Sequence, residues 1–145
     1  MSLTNKINKL LLEFPNELDW EEKYKRIINK GKLLAEMPTD LKTENHIIKG
    51  CQSQVWLAAK LDEKTGKMVL QGDSDALIVK GLVAILLELF NDEAPGEVLT
   101  TPLHFFDKMG LKNHLSPSRA NGFVAMLKQI LNYAIAFDYL KKSKN

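Results

Sequence analysis

The strand-like part of this sequence forms one local block, and the segments on both sides of it carry helical spacing. Val55, Leu57 and Ala59 alternate with Trp56, Ala58 and Lys60 in the manner of the two faces of a strand, a turn covers residues 62–67, and strand-like residues return at 68–71. This pattern predicts a β-hairpin, to which Ile47 and Ile48 can add a neighbouring strand. The strands do not alternate with crossover helices, so we expect an α+β fold, a small antiparallel β-meander packed against several helices.

Two amphipathic helices are predicted before this block. The first carries apolar residues at helical spacing and is ended by Pro15, which cannot continue a helix. Asp19, followed by Glu22, resembles the capping box that starts a helix, and this second helix should run to about Leu34.

Three helices are predicted after the hairpin. Residues 76–90 are almost continuously apolar, which indicates a buried central helix that Ser74 or Asp75 can cap. The second of these helices is expected to start at Thr101 with Pro102 and to end at Gly110. The third is expected to start at Ser116 with Pro117.

Size and charge limit the class of protein. A chain of 145 residues with 45% hydrophobic residues can bury a core, and we expect a single domain over residues 1–145 with a short basic tail at 141–145. The formal charge of +2 provides no broad cationic face, so nucleic acid is not an expected partner. Residues 76–90 are interrupted by Lys80 and Glu88 and are shorter than the roughly 20 residues that cross a bilayer, so no membrane association is expected.

The only cysteine, Cys51, lies between Gly50 and the polar residues Gln52, Ser53 and Gln54. A lone cysteine is often a small buried hydrophobe, but these neighbours indicate a loop or a strand end. If Cys51 is reactive it acts as a thiolate, which attacks sulfur, and Lys49 is a candidate cation to favour that form. No second cysteine can resolve a bound sulfur into an internal disulfide, so the sequence favours a sulfur relay over a self-contained redox enzyme. A free thiol also favours a reducing compartment, and the cytoplasm is expected.

Other polar residues have weaker functional interpretations. His46, His104 and His114 do not reproduce zinc spacing, so no metal is expected, and a Cys-His hydrolase is a distant alternative. Asp73 and Asp75 can form a carboxylate pair, although helix capping is the commoner role at such a position. Arg119, in the first turn of a predicted helix, gains nothing from the helix dipole and is expected to pair with a carboxylate or a partner.

Several ordered segments together carry a family resemblance. They are Asp19-Trp20-Glu21-Glu22-Lys23-Tyr24, Gly50-Cys51-Gln52-Ser53-Gln54-Val55-Trp56, Leu70-Gln71-Gly72-Asp73-Ser74-Asp75, Ile78-Val79-Lys80-Gly81-Leu82 and His114-Leu115-Ser116-Pro117-Ser118-Arg119. Over about residues 19–137, the chain resembles the SufE family of cysteine desulfuration proteins.

This resemblance implies a fold shared with iron-sulfur scaffold proteins of the NifU type and a role beside a SufS-type cysteine desulfurase. It implies that Cys51 accepts sulfur from the persulfide of the desulfurase, stimulates that enzyme, and delivers the sulfur to a complex that assembles iron-sulfur clusters. The pyridoxal phosphate belongs to the desulfurase, so this chain is expected to need no cofactor and to show no turnover alone. The loop and docking candidates are Gly50, Gln52, Ser53, Gln54, Asp73, Asp75 and Arg119. A regulatory binding module in which Cys51 is incidental remains the alternative, and a homodimer remains open.

Overall fold

The computed structural model describes residues 2–111 and 113–143, and over these residues six α-helices accompany one two-stranded antiparallel sheet. The α+β class is confirmed. The elements are α1 (Leu3–Glu13), α2 (Trp20–Lys32), β1 (Val55–Leu61), β2 (Met68–Ser74), α3 (Leu77–Phe90), α4 (Pro95–Thr100), α5 (Phe105–Met109) and α6 (Pro117–Ser143). Two short 3-10 turns, Thr39–Leu41 and Glu44–His46, lie between α2 and β1. In the predicted basic tail, Lys144 and Asn145 lie outside the described residues.

The hairpin runs from the pair Val55 and Ser74 to the pair Leu61 and Met68, so β2 extends three residues beyond its predicted end at residue 71. The neighbouring strand expected at Ile47 and Ile48 is reduced to a single bridge between Ile47 and Trp56. The 3-10 turn ends just before this bridge, and Gly50, with a positive φ of 92°, redirects the chain soon after it. The extended stretch is therefore too short to form a strand.

The core lies around α3, which packs against α2 on one side and against β2 on another. The close approach of α2 and α3 requires Gly31 and Gly81, since a Cβ on Gly81 would overlap the backbone of Ile27. Asp19 caps α2 as predicted, and its carboxylate accepts the N–H of Glu22 at 2.9 Å. No helix in the described ranges is both long and apolar enough to cross a membrane.

Two helix starts differ from the sequence predictions. The residue that precedes α3 is Ala76, and neither Ser74 nor Asp75 caps the helix, because both side chains bond the backbone of Gln54 instead. Thr101 does not begin α5 but closes α4, where its N–H donates to Glu97 O at 3.1 Å, so α5 starts only at Phe105.

The predicted end of α5 and start of α6 are confirmed. Gly110 ends α5 in the left-handed conformation, with a φ of 69°. The Ser116 hydroxyl accepts the N–H of Arg119 at 3.3 Å, which is the N-cap geometry of a helix that starts at Pro117. This N-terminal turn of α6 forms one wall of the site described next.

Candidate functional site

Cys51 lies in a loop whose two ends are held together by backbone pairing. Ile48 donates its N–H to Val55 O at 2.9 Å, beside the bridge between Ile47 and Trp56. Gly50 turns the chain immediately before Cys51, and its φ of 92° would strain any other residue type. The thiol is therefore carried on a short loop with a fixed neck.

One side of the loop is fixed at Gln54, which makes three hydrogen bonds with Ser74 and Asp75 at the end of β2 and just after it. Ser74 donates its hydroxyl to Gln54 O at 2.8 Å, and Asp75 N–H donates to the same oxygen at 3.3 Å. The Asp75 carboxylate accepts the Gln54 N–H at 3.0 Å. The two residues expected to cap α3 thus hold the loop.

Asp73, which precedes Ser74 at the end of β2, is buried and lies close to two lysines. Its carboxylate pairs with Lys42 at 2.9 Å and with Lys80 at 3.4 Å, and it accepts the Ser74 N–H at 2.8 Å. Burial acts to raise the pKa of Asp73, but the hydrogen bonds from Lys42 and Ser74 and the charge of Lys80 outweigh it and lower the pKa. Asp73 therefore ties the end of β2 to α3 and to the segment before β1, and does not line the cavity of Cys51.

The other side of the loop rests on α6. The Cys51 sulfur is 3.9 Å from the carbonyl oxygen of Gly122, a weak S–H contact, and the Ser118 hydroxyl donates to the Gln52 side-chain oxygen at 3.3 Å. A cavity of about 250 Å³ lies between the loop and the helix. Its lining consists of Cys51, Gln52, Ser53, Val79, Ser116, Ser118, Arg119, Gly122 and Met126.

Burial raises the pKa of the Cys51 thiol, so the half-buried sulfur is protonated in this position at neutral pH. A protonated thiol is a weak nucleophile, so burial in this position lowers the reactivity of Cys51. Lys49, the candidate cation of the sequence analysis, is exposed and lines a different cavity. Arg119 is the cation that lines the cavity of Cys51 in the described part of the chain.

Arg119 was expected to pair with a carboxylate or a partner. Among the described residues, no carboxylate lies within ion-pair distance of its guanidinium. The side chain is exposed at the rim of the cavity, where it can contact a bound anion or an approaching protein.

The histidines lie away from the thiol. His46 contacts Leu41 O at 2.7 Å, and the ring of His114 packs on Trp20 with centroids 4.2 Å apart. No histidine is among the described residues that line the cavity of Cys51, so the hydrolase alternative lacks a base there. Over residues 2–111 and 113–143, no three His, Cys, Asp or Glu residues are grouped closely enough to hold a metal ion.

Sequence reasoning named the residues of the loop but missed most of the opposite wall. Val79, Ser118, Gly122 and Met126 line the cavity and were not selected. For Gly122 a signal existed, because a glycine within an apolar helical stripe lowers helix stability and calls for a reason.

The overall fold has a solved counterpart. It is similar to the solution structure of a hypothetical protein from Thermus thermophilus, with a TM-score of 0.74 and 23% sequence identity. The similarity covers 91% of this chain and 95% of the other. At this identity the comparison establishes the fold alone.

The family comparison is more specific. Residues 8–134 match the family described as "SufE: Fe-S metabolism associated domain". This range contains the hairpin, the Cys51 loop and the part of α6 that faces it. The chain therefore belongs to the SufE family, and its role lies in iron-sulfur metabolism.

Proposed function

We propose that this protein is a sulfur relay in which Cys51 accepts a sulfur atom from the persulfide of a SufS-type cysteine desulfurase and passes it to an iron-sulfur scaffold complex. The observation that carries the proposal is the position of Cys51 in a member of an iron-sulfur family. The only thiol of the chain lies at a cavity, on a short loop that turns at a glycine with a positive φ.

The transfer is a thiol exchange that needs no oxidant or reductant. The thiolate of Cys51 attacks the outer sulfur of the donor persulfide, a new S–S bond forms on Cys51, and the donor cysteine leaves as a thiolate. The proton of Cys51 is released to solvent or to the partner. The second transfer repeats this exchange, with a thiol of the acceptor attacking the outer sulfur on Cys51.

The loop must move before Cys51 can react. In the closed position burial raises the pKa of the thiol, whereas exposure returns it towards its ordinary value and increases the thiolate fraction. The two sides of the loop are held unequally, since Gln54 makes three hydrogen bonds and Gln52 makes one exposed bond at 3.3 Å. We infer that residues 50–53 swing away from α6 while Gln54 stays in place.

The length of the loop limits where the partner can present its sulfur. Cys51 is three residues from Ile48 and three from Gln54, and each of these two ends is fixed by hydrogen bonds. A fully extended chain of three residues spans about 10 Å, so the Cys51 backbone stays within that distance of both ends. The desulfurase must therefore dock closely around the loop, beside the cavity at which Arg119 is exposed.

The cavity is suited to shelter the transferred sulfur after the loop closes again. Ser116, Ser118 and Arg119 offer hydroxyl groups and a cation to an anionic persulfide, and Val79 and Met126 provide an apolar side. Shelter is needed because a persulfide in water reacts with stray thiols and oxidants. In this proposal the pyridoxal phosphate stays in the partner, and the reducing cytoplasm keeps Cys51 free.

The test uses Cys51→Ser with purified desulfurase and cysteine. Serine is close to cysteine in size but cannot form a persulfide, so the variant should gain no sulfur mass and should fail to stimulate the desulfurase, while the parent protein does both. Affinity for the desulfurase should change only by a modest factor, because recognition is spread over an interface. If the parent gains no sulfur, or if the variant stimulates the desulfurase equally, Cys51 is incidental and the protein is a regulatory binding module.

A further inference from the structure

We propose that Gly122 is a positioning residue for Cys51, because the missing Cβ at this site of α6 makes the space in which the thiol lies when the loop is closed. The contact between Gly122 and Cys51 does not depend on what the thiol does. Its consequence for sulfur transfer rests on the proposed relay.

The contact between the two residues is direct. A Cβ built on Gly122 would lie 3.1 Å from the Cys51 sulfur and 3.8 Å from the Cys51 Cβ. The first distance is too short for relaxed van der Waals contact, so one of the two groups would have to move. The carbonyl of the same residue contacts the sulfur at 3.9 Å, so Gly122 touches the thiol from two directions.

The helix itself gives no reason for glycine at this position. Gly122 lies in the second turn of α6, is buried, and does not have the positive φ that requires glycine. Alanine is the better helix former at such a site. Apart from the helix and chain neighbours, the described atoms that a Cβ here would approach within 4 Å belong to Cys51.

Gly81 shows what a packing glycine looks like in the same protein. A Cβ there would overlap the backbone of Ile27, which cannot move without separating α2 from α3. At Gly122 the obstacle is a side chain on a short loop, and the described contacts that hold the loop on this side are one hydrogen bond from Ser118 to Gln52 and the weak S–H contact of Cys51 with Gly122 O. The loop is therefore the part that yields, and residue 122 sets how strongly the closed position is favoured.

The first test is the alkylation rate of Cys51 in Gly122→Ala. Overpacking of a closed contact shifts the equilibrium towards the open loop, and we expect the rate to rise at least about fivefold. The matched control is Gly96→Ala, also in a helix, where the new Cβ would make only an ordinary contact at 3.6 Å with the carboxylate of Asp138. An unchanged rate in Gly122→Ala, or an equal rise in the control, overturns the proposal.

A double-mutant cycle tests whether the effect passes through the sulfur. Gly122→Ala is made in the parent and in Cys51→Ala, and the melting temperatures of the four proteins are compared. Removal of the sulfur should let the helix gain from alanine, so Gly122→Ala should raise the melting temperature more in Cys51→Ala than in the parent. Equal changes in both backgrounds, or a failure to fold in both, would make Gly122 a purely structural glycine.

A third measurement tests whether the contact between Gly122 and Cys51 affects sulfur transfer. The parent and Gly122→Ala are loaded with sulfur by the desulfurase, and the loss of sulfur mass to added dithiothreitol is followed by mass spectrometry. The variant should lose its sulfur faster, since its loop is more often open, and equal rates of loss would contradict this consequence. If neither protein acquires sulfur, the relay itself fails, and the alkylation rates still decide the claim about Gly122.

Discussion

The carboxylate of Asp75 holds the Cys51 loop from outside the loop, so its removal should loosen the loop without disrupting the fold. Asp75→Ala removes the acceptor of the Gln54 N–H, a bond of 3.0 Å. The Ser74 hydroxyl still holds Gln54 O at 2.8 Å. Asp75 is exposed and does not cap α3, so the helix behind it keeps its own contacts.

The size of the effect follows from the type of bond and its exposure. A hydrogen bond to a charged group contributes about 1.5–3 kcal/mol, and solvent exposure reduces this to about 1 kcal/mol here. In the opening proposed above Gln54 stays in place, so this free energy acts on a wider opening of the loop in which Gln54 is released as well. A change of about 1 kcal/mol corresponds to roughly a fivefold larger open population.

Alkylation of Cys51 under pseudo-first-order conditions measures this population. Hydrogen exchange of the Gln54 amide directly measures the loss of its bond to the Asp75 carboxylate. We expect the alkylation rate of Asp75→Ala to rise by up to about fivefold and the Gln54 amide to exchange faster. Asp75→Asn, which keeps an oxygen acceptor without the charge, should lie between the parent and Asp75→Ala. Asp75→Arg should also loosen the loop and should alter the affinity for the desulfurase.

One combination of results would contradict this role of Asp75. If the alkylation rate stays at the parent value while the melting temperature falls by many degrees, Asp75 stabilises the fold and not the loop. A far-ultraviolet circular dichroism spectrum of each variant provides the control that α3 is intact.

Three further predictions concern pH and cofactors. Burial raises the pKa of Cys51 above its ordinary 9.0, so the closed loop is favoured below that pH and this preference is lost as the pH rises through the raised pKa. The pH midpoint of Cys51 alkylation should therefore be higher in the folded protein than in denaturant. Equal midpoints would contradict this. The lowered pKa of Asp73 contributes stability that is present above its ordinary 3.8 and is lost as the pH falls through the lowered value, so denaturant titrations of Asp73→Asn should lack this part of the acid dependence shown by the parent. The purified protein should contain no stoichiometric zinc, iron or pyridoxal phosphate, which metal analysis and an absorption spectrum will check.

Local sequence signals predicted much of the fold. Asp19, Gly110 and Ser116 act where they were expected to act, because a cap is recognised by chemistry that lies within a few residues of the helix end. The hairpin was also predicted, since alternation and a turn define it without reference to the rest of the chain. Such features depend on short-range contacts, which a single sequence displays directly.

The errors arose where a local signal had a distant partner. Ser74 and Asp75 have the chemistry of N-caps, but the N–H that Asp75 accepts belongs to Gln54, 21 residues away. A carboxylate binds either donor equally well, and the sequence does not show which one the fold brings near. Thr101 with Pro102 imitates a helix start in the same way, although Thr101 actually closes α4.

The candidate site likewise has one wall that local sequence predicts and one wall that only the fold brings near. The loop around Cys51 was found from its own residues, whereas Gly122 contacts the thiol across 71 positions of sequence. Only the fold reveals that one side of the loop is fixed to Ser74 and Asp75 by three hydrogen bonds, whereas its other side has one described hydrogen bond and one weak S–H contact with α6. The sequence thus identifies the reactive group, and the tertiary contacts determine the side from which it can be released.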